Sequence, residues 1–330
     1  MDVIDWLLEE DNPSARYLAL RHVLGRPEED PEVATARAAI TGCPPARAIL
    51  EAQWPAGYWM HPDVGYSPRH RATAWQIVFL AALGAPRTPA IDRACAFLLA
   101  HSRLPDGRFT AYAADLAGPG IAQGTFLCLN GGLVRALFAL DYVDPRREES
   151  LEALAGLLLD GAPRCEVCSR DEKLDGTPQA AAAPCVHGTV KALGALTRAP
   201  QAQRSPRVQA AIGQGVALLT AGDEATPLLA GEHLFGFPSG EQTDLPEALQ
   251  ALAAAGAPPS PAVEAALAIV RGKRRSDGTW ALDDTPENTW ADFGTPGLPN
   301  KWVTLLALHA LSLWPAAKTT PRPRYAEAQR

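Results

Sequence analysis

The amino-acid sequence predicts an all-α protein, an (α/α)6 toroid of six inner and six outer helices. Three observations predict this fold class: apolar helical segments recur at a near-constant period, amphipathic segments alternate with them, and no strand-like alternation is present. The period is measured from the prolines that close the apolar segments. These are Pro27, Pro86, Pro145, Pro200, Pro258 and Pro315, which lie 59, 59, 55, 58 and 57 residues apart.

The two kinds of segment predict two rings of helices. The inner segments, apolar nearly all round, are residues 16–27, 75–86, 133–145, 189–200, 247–258 and 303–315. The outer segments, one-sided and richer in Arg and Glu, are residues 3–10, 31–52, 90–102, 147–160, 206–221 and 261–274. Strict alternation favours a closed toroid over a linear solenoid, which would need polar caps at both ends. We expect one domain over residues 1–317 and a disordered tail over residues 318–330.

Composition and charge narrow the classes of function. The chain has 330 residues with 47% hydrophobic residues, 30 prolines and a net charge of −7, which argues against nucleic acid as the main partner. It begins with an acidic Met-Asp-Val-Ile-Asp segment that is unlike a signal peptide. The longest mostly apolar run, residues 72–85, is too short to span a bilayer. We therefore expect a cytoplasmic protein; the sequence does not indicate its oligomeric state.

Three turns that follow outer segments carry a small motif flanked by aromatic residues. They read Gln53-Trp-Pro-Ala-Gly-Tyr-Trp59, Pro105-Asp-Gly-Arg-Phe109 and Ser276-Asp-Gly-Thr-Trp280. Asp-Gly suits a tight turn, and the aromatic residue after it can hold the turn against a neighbouring helix.

These turns, with helix pairs of about 57 residues, resemble the terpenoid cyclase and protein prenyltransferase β-subunit superfamily. The resemblance covers residues 1–316, and the turns are similar to its QW and Q-D-G-G motifs in degenerate form. Cys128-Leu-Asn-Gly, Phe235-Gly-Phe-Pro238 and Lys301-Trp-Val-Thr304 resemble bacterial single-domain proteins of the squalene-cyclase-like or prenyltransferase-like kind. The resemblance implies chemistry at the end of the toroid where the inner-helix N-termini meet.

Four residues between the third and fourth inner segments have the spacing of a zinc site. Cys165 and Cys168 form a C-x2-C pair, and Cys185 and His187 follow after a gap of sixteen residues. Three thiolates and an imidazole are a typical tetrahedral ligand set for zinc. Because His187 opens an inner helix, the site would lie at the mouth of the toroid. The alternative is a loop with four soft, buried residues.

The role of this zinc is open at the sequence level. The resemblance implies a comparable place for it, because protein prenyltransferases hold zinc near inner-helix N-termini through Asp, Cys and His and activate a thiol. A complete Cys3His set is usually structural, and here it would fix an insertion at residues 161–187 as a lid. If the zinc is catalytic, Asp175 in that insertion would replace a thiolate or act as a base; otherwise it is a turn residue.

The predicted mouth also collects residues suited to an anionic or isoprenoid ligand. Parallel inner helices place their N-termini, each with a partial positive charge, at one end. Candidate anion-binding residues there are Arg69, His70, Arg71, Lys191 and Lys301, with Arg135 a weaker one; the alternative is solvated loop charge. Candidate aromatic wall residues are Tyr66, Trp75, Phe126, Phe235, Phe237, Trp290, Phe293 and Trp302; the alternative is ordinary core.

Three further rim residues are candidates for acid–base chemistry: His233, Asp244 and Asp292. The alternative for His233 is a loop histidine whose hydrogen bonds are satisfied locally. The sequence has neither the D-x-D-D acid motif of class II cyclases nor a D-D-x-x-D motif, and Asp283-Asp284 is the nearest match. No G-x-S-x-G, P-loop or dinucleotide-binding glycine pattern is present either.

The leading hypothesis is therefore an enzyme-like toroid that binds an isoprenoid or other lipophilic molecule, phosphorylated or not, with zinc at its mouth. A non-catalytic ligand-binding or scaffold toroid with structural zinc is the alternative. A zinc hydrolase or a sugar-processing toroid is a third, and it needs paired carboxylates across the cavity.

Overall fold

The computed structural model describes residues 2–63, 65–111, 125–160, 185–221, 227–229, 233–240 and 242–315. Within them it contains thirteen α-helices, three short 3-10 helices and no β-strand beyond three isolated bridges. None of the helices in these residues is long and apolar enough to cross a membrane. The predicted all-α class is confirmed.

The helices of the described residues form an inner and an outer ring. The inner helices are α2 (Pro13–His22), α5 (Thr73–Ala82), α7 (Leu127–Ala139), α9 (Val186–Leu196), α11 (Leu245–Ala254) and α13 (Lys301–Leu313). The outer helices are α1 (Val3–Leu7), α3 (Pro31–Ala39), α4 (Pro44–Glu51), α6 (Pro89–His101), α8 (Pro145–Leu159), α10 (Pro206–Thr220) and α12 (Pro261–Gly272). From α5 onward, each inner helix packs against the next inner helix in the chain.

The inner ring closes through α2, which lies between the last inner helix and the end of α5. The indole N–H of Trp302 in α13 donates to Ser14 Oγ at 2.9 Å, and the Ser14 hydroxyl donates to the Leu83 carbonyl at 2.7 Å. Ser14 is completely buried, so these two bonds lie inside the core. The fold is therefore the predicted closed toroid, and a linear solenoid is excluded.

Three turns join outer helices to inner helices with one repeated geometry. The backbone N–H of Trp59 donates to Thr73 Oγ1 at 3.0 Å, and that of Trp280 donates to Thr304 Oγ1 at 2.9 Å. In the third turn the Phe109 N–H donates to Asn130 Oδ1 at 2.6 Å. Because each acceptor is in the first turn of an inner helix, α5, α7 and α13 begin at the same end of the toroid.

Glycines in the same turns allow close contact with the neighbouring outer helix. Gly57 has φ +100°, and a Cβ there would lie 2.4 Å from the Arg93 carbonyl oxygen of α6. Gly107 has φ +92°, and its Cβ would lie 3.0 Å from a carbonyl oxygen of α8. Gly278, in the turn after α12, lies against Val3 of α1. The turn after the last outer helix thus packs on the first, which also closes the outer ring.

The inner helices begin two to six residues earlier than the apolar pattern predicts. The largest difference is at α7, which begins at Leu127 although its first turn contains Asn130 and Gly131. Both have packing reasons: Asn130 bonds the Phe109 turn, and a Cβ on Gly131 would lie 2.6 Å from the Ala192 nitrogen of α9. Polar and glycine residues needed for tertiary contacts therefore interrupt the apolar pattern.

The outer segment predicted at residues 31–52 is two helices rather than one. A 3-10 turn at Ile40–Gly42 ends α3, and Cys43 is extended, with φ −83° and ψ 154°. Pro44 then occupies the first position of α4. Because a residue before proline is disfavoured in the helical conformation, the Pro44-Pro45 pair separates the two helices.

Candidate functional site

A cavity of about 120 Å³ lies inside the inner ring, between α5, α7, α9, α11 and α13. We call it the axial cavity. One wall is apolar and built largely from small side chains. Its residues are Ala74, Trp75, Val78, Ala81 and Ala82 on α5, and Cys128, Leu129, Gly132, Ala136 and Ala139 on α7. The small side chains leave the space that larger core residues would fill.

The opposite wall carries a buried ion-pair network centred on Glu247 of α11. The Lys191 ammonium donates to both Glu247 carboxylate oxygens, at 2.8 and 3.1 Å, and to Ser239 Oγ at 3.0 Å. The Arg135 guanidinium donates to Glu247 Oε1 at 2.5 Å, and the Thr243 hydroxyl donates to Oε2 at 2.8 Å. Lys191 is 3% and Glu247 6% exposed, so this carboxylate is held by charge-assisted bonds in a dry environment.

Asp244 is one helical turn from Glu247 and has the opposite electrostatic environment. Its Oδ1 caps α11 by accepting the Glu247 N–H at 2.8 Å, and its Oδ2 accepts the Gly236 N–H at 3.3 Å. Burial, and then the charge of Glu247, raise the pKa of Asp244 to about 6. Burial would also raise the pKa of Glu247, but the charges of Lys191 and Arg135 outweigh it and lower that pKa to about 2. One carboxyl is thus held ionised, and its neighbour can carry a proton.

A second cavity of about 330 Å³, the mouth cavity, lies at the N-terminal end of α11. It shares Gly236, Ser239, Gly240 and Asp244 with the axial cavity, so the two spaces meet at Asp244. Its lining is mostly polar and comprises Arg69, His70, Gln242, Thr243, Asp284, Thr285, Glu287 and Asn288, among others. His70 Nδ1 lies 3.1 Å from the Glu287 carbonyl oxygen, and burial lowers the pKa of His70.

The eight aromatic candidates lie in three environments. Tyr66, Trp75 and Phe237 line the axial cavity. Phe235, Phe293 and Trp302 are buried in the core, where Phe237 stacks on Trp302 with ring centroids 4.8 Å apart. Phe126 and Trp290 are half-buried: the Phe126 ring lies 6.1 Å from that of Tyr66, and the Trp290 indole N–H donates to the Arg71 carbonyl.

The basic candidates are also divided among environments. Lys191 and Arg135 line the axial cavity, whereas Arg69 and His70 line the mouth cavity. The Arg71 guanidinium lies 3.8 Å from the centre of the Trp290 ring. The Lys301 ammonium forms ion pairs with Glu9 and Asp11, which join α13 to the segment before α2.

Of the acid–base candidates, Asp244 lines both cavities. Asp292 is exposed, and its Oδ1 accepts the Gly294 N–H at 2.8 Å, as in a polar turn. His233 is half-buried and is not among the residues that line the axial or the mouth cavity. Asp175 lies outside the described residues.

The predicted zinc ligands are described only in part. Cys185 is the N-cap of α9, where its Sγ accepts the Gly188 N–H at 3.3 Å. His187 Nδ1 accepts the Thr243 N–H at 3.1 Å, next to the mouth cavity, so the neutral imidazole carries its proton on Nε2. Cys165 and Cys168 lie outside the described residues, within which no group of three or more Cys, His, Asp or Glu side chains could hold a metal.

Glu247 is the main cavity residue that the sequence reading missed. The apolar pattern predicts it only as the start of an inner helix, although Asp244-x-x-Glu247 has the spacing that brings two side chains to one face of a first helical turn. That spacing is also typical of an ordinary helix cap, so it does not by itself indicate a site. The ion-pair network also requires Lys191, which α9 places beside Glu247 through a tertiary contact.

Comparison with known proteins finds solved structures of low similarity. No protein-family model matches the chain, and no curated protein matches its sequence. Among solved structures, the chain is similar to type II terpene cyclase MstE from Scytonema: a variant with geranylgeranyl dihydroxybenzoate, a variant with merosterolic acid A, and an apo variant. Identities are 15%, 14% and 15%, and TM-scores 0.30, 0.30 and 0.29, over 92% of this chain and 97% of the other. At these low values the likeness carries no argument about ligand or activity.

Proposed function

We propose that the axial cavity binds a lipophilic, isoprenoid-type small molecule, and that Asp244 donates a proton to it. The observation that carries this proposal is the meeting of an apolar wall with a buried carboxyl whose pKa is raised to about 6. The apolar wall favours a hydrocarbon chain because its burial removes apolar surface from water. The faces of Trp75 and Phe237 suit the positive charge that protonation of an alkene creates.

The acid role of Asp244 is supported by its environment. A general acid works best when its pKa lies near the working pH, and an ordinary exposed aspartate is far too acidic for this at neutral pH. Asp244 meets the condition because burial and Glu247 both oppose its ionisation. The cation then loses a neighbouring proton to the Asp244 carboxylate, which regenerates an alkene and the acid. The position of Asp244 where the axial and mouth cavities meet lets the acid exchange its proton with solvent.

Binding is tested by filling the cavity. Gly132 lies on the apolar wall, and Gly132→Leu would occupy space that a ligand needs. Gly213→Leu is the matched control, because no atom lies within 4 Å of a Cβ on this exposed outer-helix glycine. Calorimetric titration with farnesol and geranylgeraniol should show binding to wild type and Gly213→Leu, and none to Gly132→Leu. Equal binding by all three proteins would contradict the proposed cavity.

Proton donation is tested separately from binding. Asp244→Asn keeps the oxygen that caps α11 and removes the acidic proton. Incubation of isoprenoid alcohols or hydrocarbons in D2O, followed by mass spectrometry, should show deuterium uptake with wild type and none with Asp244→Asn. Uptake by the wild type should fall as pH rises above about 6, because the carboxyl then loses its proton. Binding without any uptake would favour the non-catalytic ligand-binding toroid.

We further propose that Cys165, Cys168, Cys185 and His187 hold zinc beside the mouth cavity. Support comes from Cys185 and His187, which the start of α9 holds two residues apart beside the mouth cavity. Zinc would bind His187 at Nδ1 in place of the Thr243 N–H, because the neutral ring carries its proton on Nε2. Bound zinc would supply either a structural link to the segment before α9 or a Lewis acid at the mouth. Metal analysis of untagged protein should give about one zinc per chain, lost in Cys185→Ser and retained in the control Cys128→Ser. A metal-free wild type would overturn the zinc proposal and leave the cavity proposal standing.

A further inference from the structure

The inner ring has a third cavity, of about 310 Å³, at the end opposite the mouth. We call it the lower cavity. It lies among the C-terminal parts of inner helices and is lined by side chains that include His22 of α2, Arg135 of α7, Arg198 after α9 and His309 of α13. It shares Arg135, Arg198, Glu247 and Gln250 with the axial cavity, so the two spaces are continuous.

Arg198 supplies a positive charge that the described residues do not neutralise. No described side chain or carbonyl accepts a hydrogen bond from its guanidinium or forms an ion pair with it, although it lines both the axial and the lower cavity. Arg198 is exposed, so water solvates part of its guanidinium, but its charge adds to that of Arg135, and an anion between the two guanidinium groups would relieve their repulsion.

The carboxylate that lines both the axial and the lower cavity is not available for this purpose. Glu247 already accepts hydrogen bonds from both Lys191 and Arg135, so its single negative charge is shared between two cations. Adding Arg198 gives three cations to one ionised carboxylate along the shared wall, with Asp244 partly protonated. The lower end of this wall therefore carries an excess of positive charge.

Two histidines complete the lower cavity. The His22 and His309 rings stack with centroids 4.8 Å apart and an interplanar angle of 25°. His22 is exposed and His309 is half-buried; partial desolvation, and then the positive charges of neighbouring side chains that include Arg198, lower the pKa of both rings. Both rings are therefore neutral at pH 7, and each offers one N–H donor in addition to the Arg198 guanidinium.

We propose that the lower cavity binds an oxyanion, a carboxylate or phosphate, on Arg198 with the His22–His309 pair beside it. This rests on the proposed function and deepens it: the ligand is an anionic amphiphile, whose head group binds Arg198 and whose chain runs along the apolar wall towards Asp244. This orientation of the ligand follows from the charges of the two ends. Lys191, towards the mouth, already pairs with Glu247, whereas Arg198 has no carboxylate partner among the described residues.

The test compares two probes that share a hydrocarbon chain and differ in head group, farnesoic acid and farnesol, by calorimetric titration. Wild type should bind the acid about tenfold or more tightly than the alcohol, as expected for charge-assisted hydrogen bonds. Arg198→Gln should lose this preference and keep its affinity for farnesol. Arg47→Gln, which changes an exposed arginine of outer helix α4, should behave as wild type. Thermal unfolding of each variant establishes that it is folded.

Inorganic phosphate distinguishes a head-group site from a general effect of charge. It should compete with farnesoic acid in wild type, leave farnesol binding unchanged, and have no effect in Arg198→Gln. Equal binding of acid and alcohol by wild type, or an acid preference that survives Arg198→Gln, would overturn the oxyanion site while leaving the cavity proposal intact. If wild type binds neither probe but binds phosphate through Arg198, the oxyanion site stands and the lipophilic-ligand proposal falls.

Discussion

Replacement of Lys191 by methionine should destabilise the protein far more than an ordinary lysine substitution does. Lys191 and Glu247 are almost completely buried, and their atoms approach to 2.8 Å. Methionine fills much the same volume as the lysine side chain but leaves Glu247 buried with one cation fewer. Loss of one partner from a buried ion pair typically costs about 3–5 kcal/mol. Because Arg135 and Thr243 still bond the carboxylate, we expect the lower end of this range, about 3 kcal/mol.

The cost should depend on pH in a defined direction. In the wild type, the pKa of Glu247 is lowered from 4.5 to about 2, so its stabilising contribution is present above pH 4.5 and lost as the pH falls towards 2. Without Lys191, burial is opposed by fewer positive charges and the pKa of Glu247 rises. The difference in unfolding free energy between wild type and Lys191→Met should therefore be largest at neutral pH and smaller near pH 3.

The assay is equilibrium urea unfolding followed by far-ultraviolet circular dichroism, at pH 7 and at pH 3.5. Lys273→Met is the matched control, since the Lys273–Asp283 pair at 2.5 Å is about a third exposed and should contribute less than about 1 kcal/mol. Lys191→Met combined with Glu247→Leu should recover most of the lost stability, because the buried charge is then gone. An unchanged urea midpoint for Lys191→Met at pH 7 would refute the buried network.

Three further predictions concern helix packing, the proton donor and the turns. Gly131→Ala should lower the urea midpoint, because its Cβ would lie 2.6 Å from the α9 backbone. Gly132→Ala should instead stabilise α7 by up to about 1 kcal/mol, and equal effects of the two substitutions would contradict the close packing of α7 on α9. The effect of Asp244→Asn on stability should be more favourable at pH 8 than at pH 4 by up to about 3 kcal/mol, because the pKa of Asp244 is raised from 3.8 to about 6 and the stability this gives is lost as the pH rises through 6. Loss of the Asp244 acceptor for the Gly236 N–H is common to both pH values, so an effect independent of pH would contradict the raised pKa. Trp280→Phe should lower the free energy of unfolding by about 1–3 kcal/mol, because it leaves the buried Val270 carbonyl near the end of α12 without the indole N–H donor. Trp54→Phe, on the surface, should lower it by less than about 0.5 kcal/mol, and similar urea midpoints for the two variants would argue against the turn geometry.

The repeat was predictable because the same physical requirements recur in every unit. Helices of this fold mostly begin with proline, which lacks the N–H that has no partner in a first turn. Of the six prolines that define the period, however, Pro145 alone is the first residue of a helix, α8. The other five follow the ends of inner helices, where proline is common because it cannot continue a helix, so the period in proline records where the inner helices end. The early starts of the inner helices were not predictable, since Asn130 and Gly131 are explained only by contacts with the Phe109 turn and with α9.

Candidate residues were harder to predict, because the same residue types serve both packing and binding. Phe237 lines the axial cavity while Phe235, two residues earlier, is in the core beneath Lys273. Lys191 and Lys301 both lie on inner helices, yet one bonds a cavity carboxylate and the other joins α13 to the N-terminal segment. In each pair the sequence context is similar, and only the neighbouring element decides the environment. Local pattern therefore identifies the ring that a residue belongs to, but not what it faces.

The axial wall shows why the three cavities are best treated as parts of one site. Asp244, Glu247 and Gln250 follow one another at intervals of three residues on α11, so they descend one face of the helix from the mouth towards the lower cavity. Along this line the environment changes from a carboxyl that resists ionisation, through a neutralised ion pair, to the charge of Arg198, which has no carboxylate partner among the described residues. A protein stabilised by packing alone has no need for such a gradient, and apolar residues at these positions would be at least as stable. The ligand that we propose, with an anionic head group beside Arg198 and an apolar chain towards Asp244, is complementary to this change in environment along the wall.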